Sequence, residues 1–290
     1  MPNRRELGYV SAGSTSTVYV STGIYGRATG GIGSPTAVTI SGVNYEYLTF
    51  NATGTLTVTT AGWFDFLAIG GGSGSNIRND SARANGGGGA GAVVCGSIYL
   101  SANQTITIGA GGSFVNYGAY SVGTQTNIGA ASPFVVSAGG SIAVDGNYAQ
   151  ASGMGRWGNG TTTQTFNTGL GFNGGASSAS TSGGGGGGWS SAGVDGSGTT
   201  GGAGGTGFDM STFIGGTPTP SHRATGGGGG GSVAGGAGGN SSASSNAGST
   251  GSTPSSAAAN SGSGGGGGNG TTQTTGNGGS GVCFIRWSVS

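Results

Sequence analysis

Hydrophobic and polar residues alternate along two stretches in the first half of the chain. The first stretch covers residues 36–69 and the second covers residues 92–109, each with several short segments such as Val38-Thr39-Ile40. A period of two residues is typical of half-buried strands in an antiparallel sheet. No window has the 3.6-residue period of a helix. The pattern therefore predicts an all-β fold with almost no α-helix.

The chain closes on a further apolar segment, Val282-Cys283-Phe284-Ile285, which directly follows glycine. A strand this apolar needs a sheet, and the nearest in composition is that of residues 45–70. We therefore predict an antiparallel β module interrupted by an inserted glycine-rich body. The predicted parts are an N-terminal arm and candidate docking segment (1–35), the β module (36–140 plus 278–290) and the glycine-rich body with aromatic loops (141–277).

Glycine dominates the composition, with 76 of 290 residues. Fixing a glycine costs roughly 0.5–1 kcal/mol more than fixing an alanine, so order requires a packing arrangement that offsets about 40–75 kcal/mol. High glycine content by itself is typical of disorder. Nine Tyr, ten Phe and four Trp, with only 5% charged residues, oppose that interpretation and favour an ordered chain.

Glycine runs occupy residues 86–89, 183–188, 226–231 and 264–268. Extended helices with three residues per turn leave every N–H and C=O pointing outward, so glycine helices lying side by side can satisfy one another. A run of six spans about 19 Å at ~3.1 Å per residue. The runs predict a polyglycine-II-like lattice; the alternative is that they are interchangeable low-complexity spacers.

Charge is scarce, with eight basic residues, all arginine, against seven acidic ones and a net charge of +1. This balance disfavours a nucleic-acid backbone or an anionic membrane as partner. No apolar run approaches the 18 residues of a membrane span, and no secretory leader is recognised. We expect synthesis in a cytoplasm and no membrane insertion.

Candidate chemistry is sparse. A phosphate-binding P-loop needs a lysine, and the chain has none. His222 is the single histidine and lies in a predicted exposed loop, while the acidic residues are isolated from one another. We predict no catalytic residues, metal ligands or cofactor. Cys95 and Cys283 lie in apolar surroundings, either as buried free thiols or, if their strands are neighbours, as a disulfide.

Aromatic residues separated by glycine runs are the candidate contacts for a binding partner. Aromatic side chains supply large contact areas at low entropic cost, on a sugar ring or in a protein pocket. The alternative is that they form a small core capping the ends of the glycine lattice. The candidates are Tyr148, Trp157, Phe166, Phe172, Trp189, Phe208, Phe213 and His222.

Several of these segments resemble a known family. Residues 49–58 and 62–74, including Gly62-Trp63-Phe64-Asp65, resemble the opening of the glycine-rich domain of bacteriophage virion proteins, and further similarity lies at residues 86–94, 106–112 and 279–287. The resemblance covers residues 45–290. A looser similarity is to tail-fibre tip adhesins, in which polyglycine-II helices support receptor-binding loops, although this chain has β segments on both sides of its glycine body.

The resemblance implies a non-enzymatic structural protein on the exterior of a virion, in the manner of a tail fibre or its tip. We expect docking on other virion proteins through residues 1–35, recognition of a host cell-surface glycan or outer-membrane protein, and a homo-oligomer, with a trimer favoured. An alternative from another class is a head or tail decoration protein whose role is purely architectural.

Overall fold

The computed structural model describes residues 24–75, 84–113, 122–129, 135–137, 139–140, 171–177, 180–240, 248–250, 254–269 and 276–289. Across these residues the fold is all-β, as predicted. The single described helix, α1, is the four-residue element Ser211–Ile214.

Five antiparallel strands form the first sheet, in the spatial order β2 (Thr36–Ile40), β3 (Val43–Phe50), β12 (Val282–Ser288), β5 (Gly62–Ile69) and β6 (Val93–Leu100). The last strand of the chain lies at its centre, with Phe284 opposite both Thr49 of β3 and Leu67 of β5. This placement confirms that the closing segment joins the sheet of residues 45–70.

A second five-stranded antiparallel sheet packs against one face of the first. Its strands, in spatial order, are β1 (Arg27–Thr29), β4 (Gly54–Thr60), β7 (Gln104–Thr107), β8 (Thr126–Ile128) and β9 (Val135–Ser137). A core of alternating apolar residues, among them Phe50, Phe64 and Trp287, separates the sheets. Strand β1 falls within the predicted arm of residues 1–35, so residues 27–29 are part of this sandwich.

Glycine segments continue directly from the strands and form a bundle beside the sandwich. Gly70 follows the last residue of β5, and Gly281 precedes the first residue of β12. Backbone hydrogen bonds connect the segments laterally. The glycine bundle comprises residues 70–75, 84–91, 109–113, 122–125, 139–140, 171–177, 182–188, 190–196, 200–207, 224–231, 234–239, 248–249, 254–258, 261–268 and 276–281.

Hydrogen-bond partners in the glycine bundle repeat every third residue. The N–H groups of Asn85, Gly88 and Gly91 donate to the carbonyls of residues 268, 265 and 262 in turn. Between these donors, Gly87 and Ala90 donate to a different segment, at residues 184 and 187. A repeat of three on both partners is the period of the polyproline-II type of helix. The glycine runs therefore form a polyglycine-II-like lattice and are not interchangeable spacers.

The interior of the lattice has no space for side chains. Residues 183–188, 226–231 and 264–268 are all buried. A Cβ atom built on Gly186 would lie 1.9 Å from the carbonyl oxygen of Gly88, and one on Gly226 would lie 1.9 Å from that of Gly186. Glycine is required here because the position of its missing side chain is filled by a neighbour's backbone.

The two cysteines are free thiols on opposite faces of the first sheet. Cys95 of β6 lies opposite Leu67 of β5, whereas Cys283 of β12 lies opposite Ala68, the next residue of β5. Successive residues of a strand point to opposite faces. Because β5 separates the two strands and the thiols face apart, the disulfide alternative is wrong.

Candidate functional site

Turns of the glycine bundle meet at the end that lies away from the sandwich, which we call the tip. The N–H of Val233 donates to the carbonyl of Thr199 (3.0 Å), and that of Ser232 donates to Thr181 (2.9 Å). The first bond connects the turns of residues 197–200 and 231–234, and the second connects the latter turn to the segment that begins at Thr181. The side chains there are small and uncharged, and Val233 is 70% exposed.

The opposite end of the molecule, which we call the base, holds both ends of the described chain. The N–H of Trp63, at the start of β5, donates to the carbonyl of Ile24 (3.0 Å). Arg27 donates from Nη1 to the carbonyl of Ser288 (3.0 Å), at the end of β12. Because β5 runs from the base toward the bundle and β12 runs back, residues 24–26 and 287–289 lie far from the tip.

A second core fills the space between the other face of the first sheet and residues 207–225, and we call its members Trp189, Phe208, Met210, Phe213, Arg223 and Phe284 the junction cluster. The short strands β10 (Phe208–Asp209) and β11 (His222–Arg223) pair with each other and flank α1. The carboxylate of Asp209 accepts a hydrogen bond from the N–H of Ser211 (2.9 Å) and holds the start of the helix.

Aromatic packing orders this cluster. The rings of Trp189 and Phe208 meet edge to face, with centroids 5.0 Å apart, a favoured geometry for aromatic pairs. The backbone N–H of Trp189 donates to the carbonyl of Ala224 (3.0 Å), which connects this residue to the bundle segment of residues 224–231. Trp189 is half-buried, while Phe208 and Phe213 are buried.

A buried ion pair anchors the cluster to the first sheet. Arg286 of β12 lies 3.3 Å (Nε to Oδ2) from Asp65 of β5, whose other carboxylate oxygen accepts a hydrogen bond from Ser97. The guanidinium also donates to the carbonyl of Phe213 in α1. It stacks on the rings of Phe213 (4.3 Å) and Tyr45 (4.6 Å). Burial raises the pKa of the Tyr45 phenol above its usual value.

Arg223 is a second cation in the same cluster, and its environment differs. Its Nη1 donates to the carbonyl of Asn260, and its guanidinium lies 5.4 Å from the ring of Phe284. No acidic residue of the described chain forms an ion pair with it, and its buried Nε has no acceptor there. Burial lowers the pKa of Arg223 to about 10, because desolvation disfavours the charged form.

No group of three or more His, Cys, Asp or Glu side chains with metal-site geometry occurs within the described ranges. Nor does any described helix have the length and hydropathy needed to cross a bilayer.

The sequence profile of a family described as "Glycine-rich domain" matches residues 48–288. The match runs from the last residues of β3 to the end of β12, so it includes strands β4 to β12 and the whole glycine bundle, whereas β1 and β2 precede it. The chain belongs to this glycine-rich domain family. A search of curated proteins found no match to the chain.

The structure of this glycine-rich domain brings four of the predicted contact residues together. Trp189, Phe208 and Phe213 are in the junction cluster, and His222 is in β11 beside it, opposite Asp209 of β10. Phe172 is half-buried in another segment of the glycine bundle, where its N–H donates to Gly188. Tyr148, Trp157 and Phe166 lie outside the described residues.

Three of these candidates need correction. Phe208 and Phe213 are buried in the glycine-rich domain, at 9% and 6% exposure, because the first sheet and the glycine bundle enclose them. They fit the alternative interpretation, a small core that caps the lattice. His222 is also not in an exposed loop: it is a half-buried strand residue whose Nδ1 lies 3.1 Å from Ser221 Oγ. For Trp189, Phe172 and His222, the role as contacts stays a prediction.

Sequence reasoning missed Arg223 and Arg286. In a chain with eight basic residues, an arginine inside an apolar strand such as Val282–Ser288 is a usable signal, because charged residues are seldom fully buried unless paired. Arg223 had no such signal, since it follows a polar, proline-containing stretch.

Proposed function

We propose that this glycine-rich domain is a non-enzymatic structural protein on the exterior of a bacteriophage virion, as a tail-fibre or tail-tip component that recognises the host surface. The virion assignment rests on the resemblance of residues 45–290 to glycine-rich virion proteins. Recognition is non-covalent, requires no cofactor, and is directed at a host glycan or an outer-membrane protein.

The observation that carries the proposal is that the molecule has two different ends, the tip and the base. The described turns 197–200 and 231–234 are at the tip, and residues 24–26 and 287–289 are at the base. A protein held by its base presents the tip outward. Two β segments that are distant in sequence form one sandwich at the base, away from the described turns at the tip.

The lattice supplies the rigidity that such a role needs. Residues 261–268 hydrogen-bond laterally to neighbours on several sides, so no single segment can move independently. Binding residues supported by a rigid scaffold lose less entropy when a partner binds. A net charge of +1 suits a surface that avoids unspecific adhesion in the extracellular medium.

The proposed partners follow from the same difference between the two ends. Residues 1–35 dock on another virion protein at the base. Of these, residues 27–29 also pair with β4, while residues 1–23 lie outside the described part of the chain. We further propose a homo-oligomer, with a trimer favoured, made in the host cytoplasm and assembled on the particle, without nucleic-acid binding or membrane insertion.

A second candidate is an architectural role as a head or tail decoration protein. The edge strand β2 favours it, because Thr36–Ile40 has no charged residue, no proline and no bulge in its pairing with β3. Natural edge strands usually carry charged residues, proline or a bulge, which prevent pairing with other chains. An edge without them is suited to bonding a neighbouring subunit.

Competition for host cells tests the proposal. Purified full-length protein, added in excess before the phage, is expected to reduce phage adsorption, with the heat-denatured protein as control. Antibody labelling of intact particles is expected at the tail tip. Undiminished adsorption at saturating protein would contradict host recognition, and label distributed over every capsomer would favour the decoration role.

A further inference from the structure

Two arginines contact the same core and can be compared directly: Arg286 is buried, and Arg223 is half-buried with a buried Nε. Arg286 has a carboxylate partner, Asp65, at 3.3 Å, together with two aromatic rings. Arg223 has one ring and one carbonyl but no carboxylate partner in the part of the chain that the structure describes. A charge removed from water without a counter-ion destabilises the fold that contains it.

The described acidic residues lie elsewhere. Asp65 is engaged by Arg286 and Ser97, and Asp209 bonds the start of α1. Asp195 accepts a hydrogen bond from the N–H of Ala176 (2.6 Å), and Glu46 accepts one from the indole of Trp287 (3.1 Å). The positive charge of Arg223 is therefore left uncompensated by them, and its Nε is a buried donor with no acceptor among these residues.

The surroundings of Arg223 are partly open to solvent. Arg223, His222, Trp189 and Asn260 are all half-buried. Trp189 packs on Phe208, which is the cross-strand partner of Arg223, so the indole lies on the same side of the β10–β11 pair as the guanidinium. An aromatic ring on the same side of a strand pair as a cation that has no carboxylate partner can stack on a sugar ring while the cation binds an acidic group of that sugar.

We propose that Arg223 and Trp189 form a binding site for an acidic sugar, with the guanidinium bound to the sugar carboxylate and the indole stacked on its ring. This inference rests on the proposed function and specifies the class of host glycan that is recognised. The site lies at the junction of sandwich and bundle, so it is distinct from the tip turns. The bound carboxylate serves as the counter-ion of Arg223, just as the carboxylate of Asp65 does for Arg286.

Titration of the purified full-length protein with sodium glucuronate and with glucose tests the site, by calorimetry and thermal unfolding at constant ionic strength. Glucuronate is expected to bind at least about tenfold more tightly than glucose and to raise the melting temperature, because a charge-assisted hydrogen bond contributes that much. Arg223→Gln is expected to abolish the difference between the two sugars. Arg27→Gln, which removes a guanidinium that bonds carbonyls at the base, is the matched control and is expected to keep it.

If Arg223→Gln does not fold, Arg223→Lys replaces it, because lysine keeps the charge but lacks the planar guanidinium. This variant is expected to bind glucuronate more weakly but still to prefer it over glucose. Equal binding of the two sugars to the unmodified protein would overturn the proposal, as would inorganic phosphate or sulfate binding as tightly as glucuronate. If glucuronate does not bind but the protein still competes with phage, only this inference fails. If glucuronate binds but the protein does not compete, the proposed function fails.

Discussion

At the scale of single residues, the Asp65–Arg286 pair is the most sensitive charged element of the fold. Both side chains are buried in the centre of the first sheet. Asp65→Ala leaves the cation of Arg286 without its carboxylate and is expected to lower the free energy of unfolding by about 3–5 kcal/mol. Denaturant titration measures this loss.

The double variant Asp65→Leu/Arg286→Met is the control for that change. It removes both charges and keeps apolar volume, so we expect stability within about 1–2 kcal/mol of the original protein. A double variant as unstable as Asp65→Ala would mean that the pair acts through packing and not through charge.

The thiol of Cys283 gives the fold a specific alkaline pH dependence. Burial raises its pKa far above the ordinary value of 9.0. The folded state therefore keeps the proton while the unfolded chain loses it, so the stabilisation is complete below pH 9 and declines above it. The expected decline is about 1.4 kcal/mol per pH unit for each such group.

Cys283→Ala is expected to reduce this slope between pH 8.5 and pH 10, measured by denaturant titration in a reducing buffer. Cys95, whose pKa burial also raises, contributes in the same direction and accounts for the slope that is left. The lowered pKa of Arg223 acts with the opposite sign, but only above about pH 10, outside this window. An unchanged slope in Cys283→Ala would contradict the assignment.

At the scale of elements, the positions that glycine occupies within the three-residue period determine whether a segment lies inside the lattice or at its surface. Segments at the surface carry a side chain at every third residue: Thr200, Ala203 and Thr206 in one, and Ala234, Ala237 and Asn240 in the next. All of these residues are exposed or half-buried. The fully buried runs 183–188, 226–231 and 264–268 carry none. A triplet of one side chain and two glycines thus indicates an outer segment, and an uninterrupted run indicates an inner one.

Exchanging neighbouring residues tests this phase without changing the composition. In Ala203→Gly/Gly204→Ala the methyl group moves by one residue, and a Cβ at position 204 would lie 2.0 Å from the carbonyl oxygen of Gly226. We expect a loss of about 2–3 kcal/mol or more, because the lattice must separate to admit the methyl. Thr200→Ala/Ala203→Thr moves the side chains by a full turn and is expected to cost less than about 1 kcal/mol. Equal melting temperatures for the two variants would exclude a three-residue register.

The sequence predicted the regular parts of the fold for physical reasons. Alternation identified the long strands, and the outward-facing backbone groups of extended glycine implied the lattice. The junction cluster could not be predicted, since Phe208–Asp209 and His222–Arg223 are too short to show a period and form only because the sheet and the bundle enclose them. The same enclosure buries Phe208 and Phe213, which sequence alone could not distinguish from exposed aromatic contacts. Arg223 obtains its unusual environment only from this tertiary packing.

At the scale of the whole molecule, the end of the chain holds the centre of the structure. Strand β12 lies between β3 and β5, and the preceding residues 276–281 hydrogen-bond to Gly72 in one segment and to Ser263 in another. Residues that are more than 200 positions apart in sequence are therefore first neighbours, and neither the first sheet nor the bundle is complete until residue 288 has been made. Folding through such distant contacts is slow, because a long loop must close before each contact forms.

A chain that ends at residue 281 tests this consequence. Without β12, strands β3 and β5 lose their common partner, and the apolar faces of both cores, including Phe64 and Leu67, are exposed to water. We expect this variant to lack a cooperative unfolding transition and to be digested by protease, whereas a chain that ends at Val289 unfolds as the full-length protein does. Circular dichroism during heating and limited proteolysis distinguish the two. A cooperative transition in the chain ending at residue 281 would mean that the sandwich closes without its central strand, and β12 would then be an addition to a fold already formed.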